Sequence, residues 1–361
     1  MLYSIQYLRA VAAIFIILFH LSGHRDGAGA PVFSFSVGPA GVDIFFVISG
    51  FVMWVTTARS SPSPPEFARR RVVRIAPLYW LVTITMFVMP SISGTIAGAT
   101  IPQVDHLIAS LLFLPYPYPA NTSQIFPVYV PGWTINYEMF FYALFAVALL
   151  IKQPAFRLIG LIAPLVALVI FGHATGATGI IGWYTEPMIL EFAAGALIGA
   201  WFISERKPLS APAALLLFVG GWLCLFLFAG SGPHGLSAGG SAALIIIGAV
   251  SLERAGFVPC SVPLKFLGDA SYAMYLTHLF SLGIFAVAWS RFGPGPTPFD
   301  NHAFAYVVLA LIASIGFAAL VHVWIEKPLS GLANRLTLRL SRQKLPSVQN
   351  SPHAEETRKT L

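Results

Sequence analysis

Ten times along this chain a run of about twenty residues carries little or no charge, which is the length needed to cross the hydrocarbon core of a bilayer. A segment inside lipid must satisfy its own backbone hydrogen bonds, so repeated runs of this kind fold as helices. The runs are 4–22, 41–58, 74–92, 133–151, 157–174, 186–203, 210–229, 236–252, 269–290 and 303–325. The expected fold class is all-α: a polytopic integral membrane protein of about ten transmembrane helices. A further stretch, DHLIASLLFL at 105–114, is too short to span and reads as a re-entrant or interfacial segment. Composition excludes a soluble alternative. Only 10% of the residues are charged, against roughly a quarter in soluble domains, and the mean hydropathy is +0.77.

Basic residues set the orientation. With the N-terminus cytoplasmic, the 59–74 loop faces inward with Arg59, Arg69, Arg70, Arg71 and Arg74. The other inward loops hold Lys152, Arg157, Arg206, Lys207, Arg254 and Lys265, and the C-terminal tail is basic. Eighteen of the twenty-one Lys and Arg residues then lie inside; Arg25 and Arg291 lie outside, and Arg9 lies within the first span. A miscounted span would invert every later loop, so this bias supports ten spans with both termini cytoplasmic. The first span could instead belong to a cleaved signal peptide, with AGA at 28–30 as the cleavage site, but its long apolar run and uncharged first residues favour a retained span. The division expected is a membrane domain over 1–330 and a basic tail over 331–361, disordered or lying on anionic lipid headgroups. Cys224, in an apolar run, and Cys260, in a polar loop, are poorly placed to pair.

Each ionisable group at membrane depth costs roughly 2.5–3.5 kcal/mol on insertion scales and requires a reason. Arg9 and His20 are eleven residues apart, three turns plus about 20°, so they share a helix face about 16 Å apart along the axis. A bland reading has Arg9 snorkelling and His20 ending the span. In GPAGVDIFFVISGFVMW (38–54), Asp43 enters from the outer side, suited to orienting a histidine or to binding sugar hydroxyls, and Ser49-Gly50 reads as close helix packing. In FARRRVVRIAPLYW (67–80), Arg71 and Arg74 point the same way, and paired guanidinium groups suit phosphate recognition. Pro77 is placed in the first turns of that span. The loop 93–131 holds no Lys or Arg and is rich in tyrosine and proline, as a sugar-stacking surface or an interfacial belt would be. Glu138, two turns into GWTINYEMFFY (132–142), needs a partner, and His20 sits at similar depth by this topology.

These pieces together resemble the membrane acyltransferase-3 family, in particular its ExoZ-type exopolysaccharide O-acetyltransferases. The matching elements are Arg9-x10-His20, GVDIFFVISGF (41–51), RRVVRIAPLYW (70–80), WTINYE (133–138), SYAMYLTH (271–278) and WIEKP (324–328). They occur in the family's order and cover residues 1 to about 330. One departs from the usual Trp-Ser-Leu-x-x-Glu, with Thr134 keeping the hydroxyl and Glu138 keeping its place. An extracellular esterase-like domain, appended in some relatives, is not among them, so transfer would finish within the membrane domain or on a partner.

The resemblance implies transfer of an acetyl group from cytoplasmic acetyl-CoA to a sugar hydroxyl of an exopolysaccharide or its lipid-linked precursor, in the bacterial inner membrane. Arg9, Arg71 and Arg74 would hold the CoA phosphates. His20 would be the general base, with Glu138 or Asp43 orienting its ring; a covalent acyl-histidine is the alternative. The expected partners are acyl-CoA, a carbohydrate acceptor and membrane lipids, with no nucleic acid. No metal is implied, since His24, His106, His173, His234, His302 and His353 show no metal-ligand spacing. His278 reads either as lining the same cavity or as a buried, hydrogen-bonded structural histidine, His322 as structural, WIEKP as an ion pair or helix stop, GALIG (195–199) as a helix contact, and Glu186 and Glu191 as outer-side acceptor contacts. Buried Arg, His and Glu also fit a secondary transporter with a proton relay, although the paired broken helices of that class are not visible. A silent membrane scaffold would not need Arg9, His20 and Glu138 together.

Overall fold

The computed structural model describes residues 2–23, 34–93, 103–204, 209–228, 237–293 and 302–343. The AGA site, His24, Arg25, Arg206, Lys207, His234 and the tail from 344, with His353, lie outside the described residues. The helices are α1 (Tyr3–Ser22), α2 (Ala40–Ser60), α3 (Pro64–Ser93), α4 (Val104–Leu111), α5 (Trp133–Ala148), α6 (Pro154–Thr175) and α7 (Gly179–Tyr184). They continue with α8 (Ile189–Ile203), α9 (Ala211–Phe228), α10 (Ser237–Arg254), α11 (Val262–Phe292), α12 (Ala303–Val321) and α13 (Lys327–Gln343), with a π-helical turn at His322–Glu326 between the last two.

Among the described residues, eight helical segments are long and apolar enough to cross a membrane. They are α1, α2, α3, α6, α7 joined to α8, α9, α11, and α12 continued into α13. The other two expected spans fall on α5 and α10. With 16 residues, α5 is about 24 Å long, short of the roughly 30 Å core. The chain end of α10 is Glu253-Arg254.

Four local features depart from the sequence reading. The basic cluster is helix, not loop. The chain turns between Ser60 and Pro64, and Ser-Pro-Pro-Glu at 63–66 starts α3 with prolines in the first turn and a carboxylate three residues after Ser63. Glu66 then pairs with Arg69 at 2.8 Å and Arg70 at 2.6 Å, one turn on. Pro77 consequently lies mid-helix. Second, the 93–131 loop contains a two-stranded hairpin, β1 (Pro117–Tyr118) with β2 (Asn121–Ile125). Third, residues 331–343 are helical, and Arg69 donates to Asn334 (2.7 Å) and Thr337 (3.0 Å), docking α13 on α3. Fourth, the final span widens into a π turn beside Pro328, which has no N–H to return to the preceding turn.

The helix α2 is central: 78% of its apolar window is buried, against 11% for α6 and 17% for α9. Leu216, Leu223 and Leu227 of α9 and Ile159 and Ile170 of α6 stay exposed, as lipid-facing side chains should. Glycines bring α2 against α8. A Cβ on Gly195 would lie 2.0 Å from the Val47 carbonyl oxygen, and one on Gly50 would lie 2.1 Å from that of Phe192. The GALIG contact is therefore observed. At the start of α1, the Glu253 carboxylate accepts from the backbone N–H groups of Tyr3 (2.8 Å) and Ser4 (2.9 Å) and from the Ser4 hydroxyl (2.5 Å). An anion there complements the helix dipole and anchors the helix that carries Arg9 and His20. Cys224 and Cys260 are both free.

Candidate active site

Helices α1, α2, α3, α5 and α11 enclose a cavity of about 150 Å³. Four residues singled out from sequence line it together: Arg9, Arg71, Arg74 and Glu138. They arrive from α1, α3 and α5, and the i, i+3 spacing of Arg71 and Arg74 turns both into the same wall. Arg71 sits over the rings of Phe67 (5.7 Å) and Tyr142 (5.9 Å), and Arg74 over Tyr272 (5.7 Å).

Glu138 accepts from Ser49 Oγ at 3.0 Å and from the Tyr142 hydroxyl, one turn on in its own helix. Ser49 and Tyr142 were not singled out as site residues. The periodicity of α5 brings Tyr142 beside Glu138, but Ser49 belongs to α2, and sequence carries no signal for that pairing. Its neighbour Gly50 does provide the close packing read from the Ser49-Gly50 pair.

The cavity lining also holds two polar atoms with no partner among the described residues. Arg71 Nε and Ser271 Oγ are buried without a hydrogen bond among the described residues, and both residues line it. A buried donor left unmade costs about 1–3 kcal/mol, so such atoms point to a ligand that accepts from them.

His20 and Asp43 are placed elsewhere. His20 stands at the other end of α1, its ring centroid 4.5 Å from that of His278. Its Nδ1 lies 2.9 Å from the Ile16 carbonyl oxygen. A carbonyl only accepts, so Nδ1 carries the hydrogen, and the neutral ring keeps its lone pair on Nε2. His278 is arranged alike, with Nδ1 2.7 Å from the Tyr275 carbonyl and a buried Nε2 that has no partner among the described residues. Between this pair and the cavity, the Tyr275 hydroxyl meets Thr134 Oγ1 at 2.6 Å and donates to the Pro131 carbonyl. Asp43 is buried beside Glu191 of α8, at 1% and 2% exposure.

Of the two readings of the WIEKP element, the ion pair is present, between Glu326 and Arg74 at 2.6 Å, and the helix stop is not, since the chain continues as α13. In the segment before α5, the Tyr116 hydroxyl donates to Asp105 and holds that carboxyl below the ordinary aspartate range.

The family model described as an acyltransferase domain matches residues 2–323, which contain all of these groups except Glu326. The chain belongs to the acyltransferase-3 family. This acyltransferase is 39% identical to the exopolysaccharide production protein ExoZ of Rhizobium meliloti (strain 1021), over 85% of its own length and 95% of that relative. It is 28% identical to the acyltransferase MdmB of Streptomyces mycarofaciens, over 83% of each chain. It is 27% identical to the putative membrane-bound transacylase BcsY of Komagataeibacter xylinus, over 76% of this chain and 71% of that one. No solved structure matches. The protein is thus a multi-pass membrane acyltransferase, which removes the transporter and scaffold readings.

Proposed function

We propose that this acyltransferase moves an acetyl group from cytoplasmic acetyl-CoA to a sugar hydroxyl of an exopolysaccharide or of its lipid-linked precursor, in the bacterial inner membrane with both termini cytoplasmic. The observation that carries the donor side is the convergence of Arg9, Arg71 and Arg74 on one cavity, with Arg71 Nε and Ser271 Oγ lacking acceptors among the described residues. Guanidinium groups suit phosphate oxygens because their donors form a rigid fork. The carbohydrate acceptor is supported by the similarity to the exopolysaccharide production protein over nearly its whole length.

Chemistry is assigned to the outer end of α1. The acceptor hydroxyl gives its proton to His20 Nε2 while its oxygen bonds to the thioester carbonyl carbon. The carbon–sulfur bond breaks, and the departing thiolate takes the proton back from the imidazolium. The Ile16 carbonyl fixes the ring tautomer for this role. Glu138, held by Ser49 and Tyr142 on the cavity wall, serves the donor side in this scheme, and its two hydroxyl donors preserve it as an acceptor.

The test is proton NMR of surface polysaccharide from a deletion strain complemented with wild type or His20→Ala. Acetyl signals vanish on deletion, return with wild type and stay absent with equally expressed His20→Ala. Full acetylation by His20→Ala would falsify the assignment of the base, and unchanged polysaccharide on deletion would overturn the acceptor class.

A further inference from the structure

The family match ends at residue 323, just short of a buried carboxylate with two partners. Glu326 is 1% exposed. Its Oε1 faces Arg74 of α3 at 2.6 Å, and its Oε2 faces Nδ1 of His322 at 2.7 Å. His322 is itself 2% exposed, and its Nε2 has no hydrogen-bond partner among the described residues. Both Glu326 and His322 lie in the π turn, a distortion common at functional sites. Arg74 is 40% exposed and lines the cavity. Its guanidinium is thus gripped from behind by Glu326 and flanked by the Tyr272 ring, whose hydroxyl is tied to the Ile75 carbonyl at 2.7 Å.

We infer that Glu326 is a positioning residue for the acyl donor: it aims the Arg74 guanidinium into the cavity, and His322 fixes the carboxylate that does so. This rests on the reading of the arginine-lined cavity as the donor site. A carboxylate near an anion site repels the anion unless its own charge is taken up, as that of Glu326 is by Arg74. Three guanidinium groups around one cavity repel each other, and a free Arg74 side chain has many rotamers to choose among. Glu326 offsets the repulsion at one of the three and selects one rotamer. Because it uses one terminal nitrogen, the other donors of the fork stay available to phosphate oxygens.

The experiment is isothermal titration of acetyl-CoA into the full chain in nanodiscs, for wild type, Arg74→Ala, Glu326→Gln and the double variant. Glu326→Gln is expected to weaken binding at least fivefold and to raise KM for acetyl-CoA while kcat stays within about twofold. In the Arg74→Ala background it should add nothing, because a residue acting only through Arg74 has no effect once Arg74 is gone. Unchanged affinity in Glu326→Gln, or a loss that adds in full to that of Arg74→Ala, overturns the inference and leaves the donor site standing. Wild-type affinity in Arg74→Ala overturns the assignment of Arg74 to the donor site and the inference with it. Should Glu326→Gln not accumulate as folded protein, His322→Gln takes its place. It keeps the Arg74 pair but loosens the carboxylate, so a loss of about twofold is expected, again absent without Arg74.

Discussion

At the level of single residues, the charges inside the bundle are the informative ones. Arg71 illustrates why. Its guanidinium lies over two neighbouring aromatic rings, and its Nε has no hydrogen-bond partner among the described residues, a position that an ordinary positive-inside residue does not need. Charge-assisted hydrogen bonds contribute about 1.5–3 kcal/mol, so Arg71→Ala should weaken acetyl-CoA binding by about ten- to a hundredfold in calorimetry. Arg71→Lys should recover only part of this, since an ammonium lacks the fork and the ring stacking. Equal affinity of Arg71→Ala and wild type would remove Arg71 from the donor site. Arg9, Arg71, Arg74 and Glu138 were legible in sequence because a charge at membrane depth demands a reason. Ser49, Tyr142 and Ser271 were not, because hydroxyls are common in apolar helices and their meaning depends on what faces them. The position of Asp43 beside Glu191 was equally hidden, since the two are brought together only by the crossing of α2 with α8.

At the level of elements, that crossing decides how the central helix sits. Gly50 and Gly195 let two backbones approach where any Cβ would meet a carbonyl oxygen. Gly195→Ala should therefore destabilise the protein by about 1–3 kcal/mol, the range of forced overpacking. It should lower the melting temperature in detergent, while Gly220→Ala, which meets open space, should not. Equal melting temperatures would show that the helices part at no penalty. The small-residue signal was readable in GALIG, but its partner was not. Helix starts proved less legible than helix cores. Ser-Pro-Pro-Glu at 63–66 is a start signal that a hydropathy cut passes over, because the arginines following it hide the beginning of α3.

For the whole molecule, orientation is the property on which the proposed chemistry depends. Donor and acceptor can be served from opposite faces only if the α3 arginines face the cytoplasm and the 103–132 segment faces outward. Green fluorescent protein fused after Leu361 should fluoresce, and alkaline phosphatase fused after Gln124 should be active. Inactive phosphatase at Gln124 would mean either that the count of spans before it is wrong or that the N-terminus lies outside, and in the second case the donor and acceptor ends of α1 would exchange. The eight long apolar helices and the shorter α5 and α10 leave this to experiment, because length and composition describe each helix singly.

Sequence alone determined that the chain is a bundle of membrane helices, and which of its charges stand at membrane depth. Both follow from one-dimensional quantities: twenty apolar residues match a bilayer, and an arginine within them is conspicuous. Only the tertiary structure decided the grouping. It gathered Arg9, Arg71, Arg74 and Glu138 around one cavity, set His20 against His278, and tied Arg74 to a glutamate 252 residues away. The physical reason is that lipid is as apolar as leucine. Hydropathy therefore sends helices into the membrane without choosing their neighbours, and the choice falls to glycine contacts and buried polar pairs that exist only between helices.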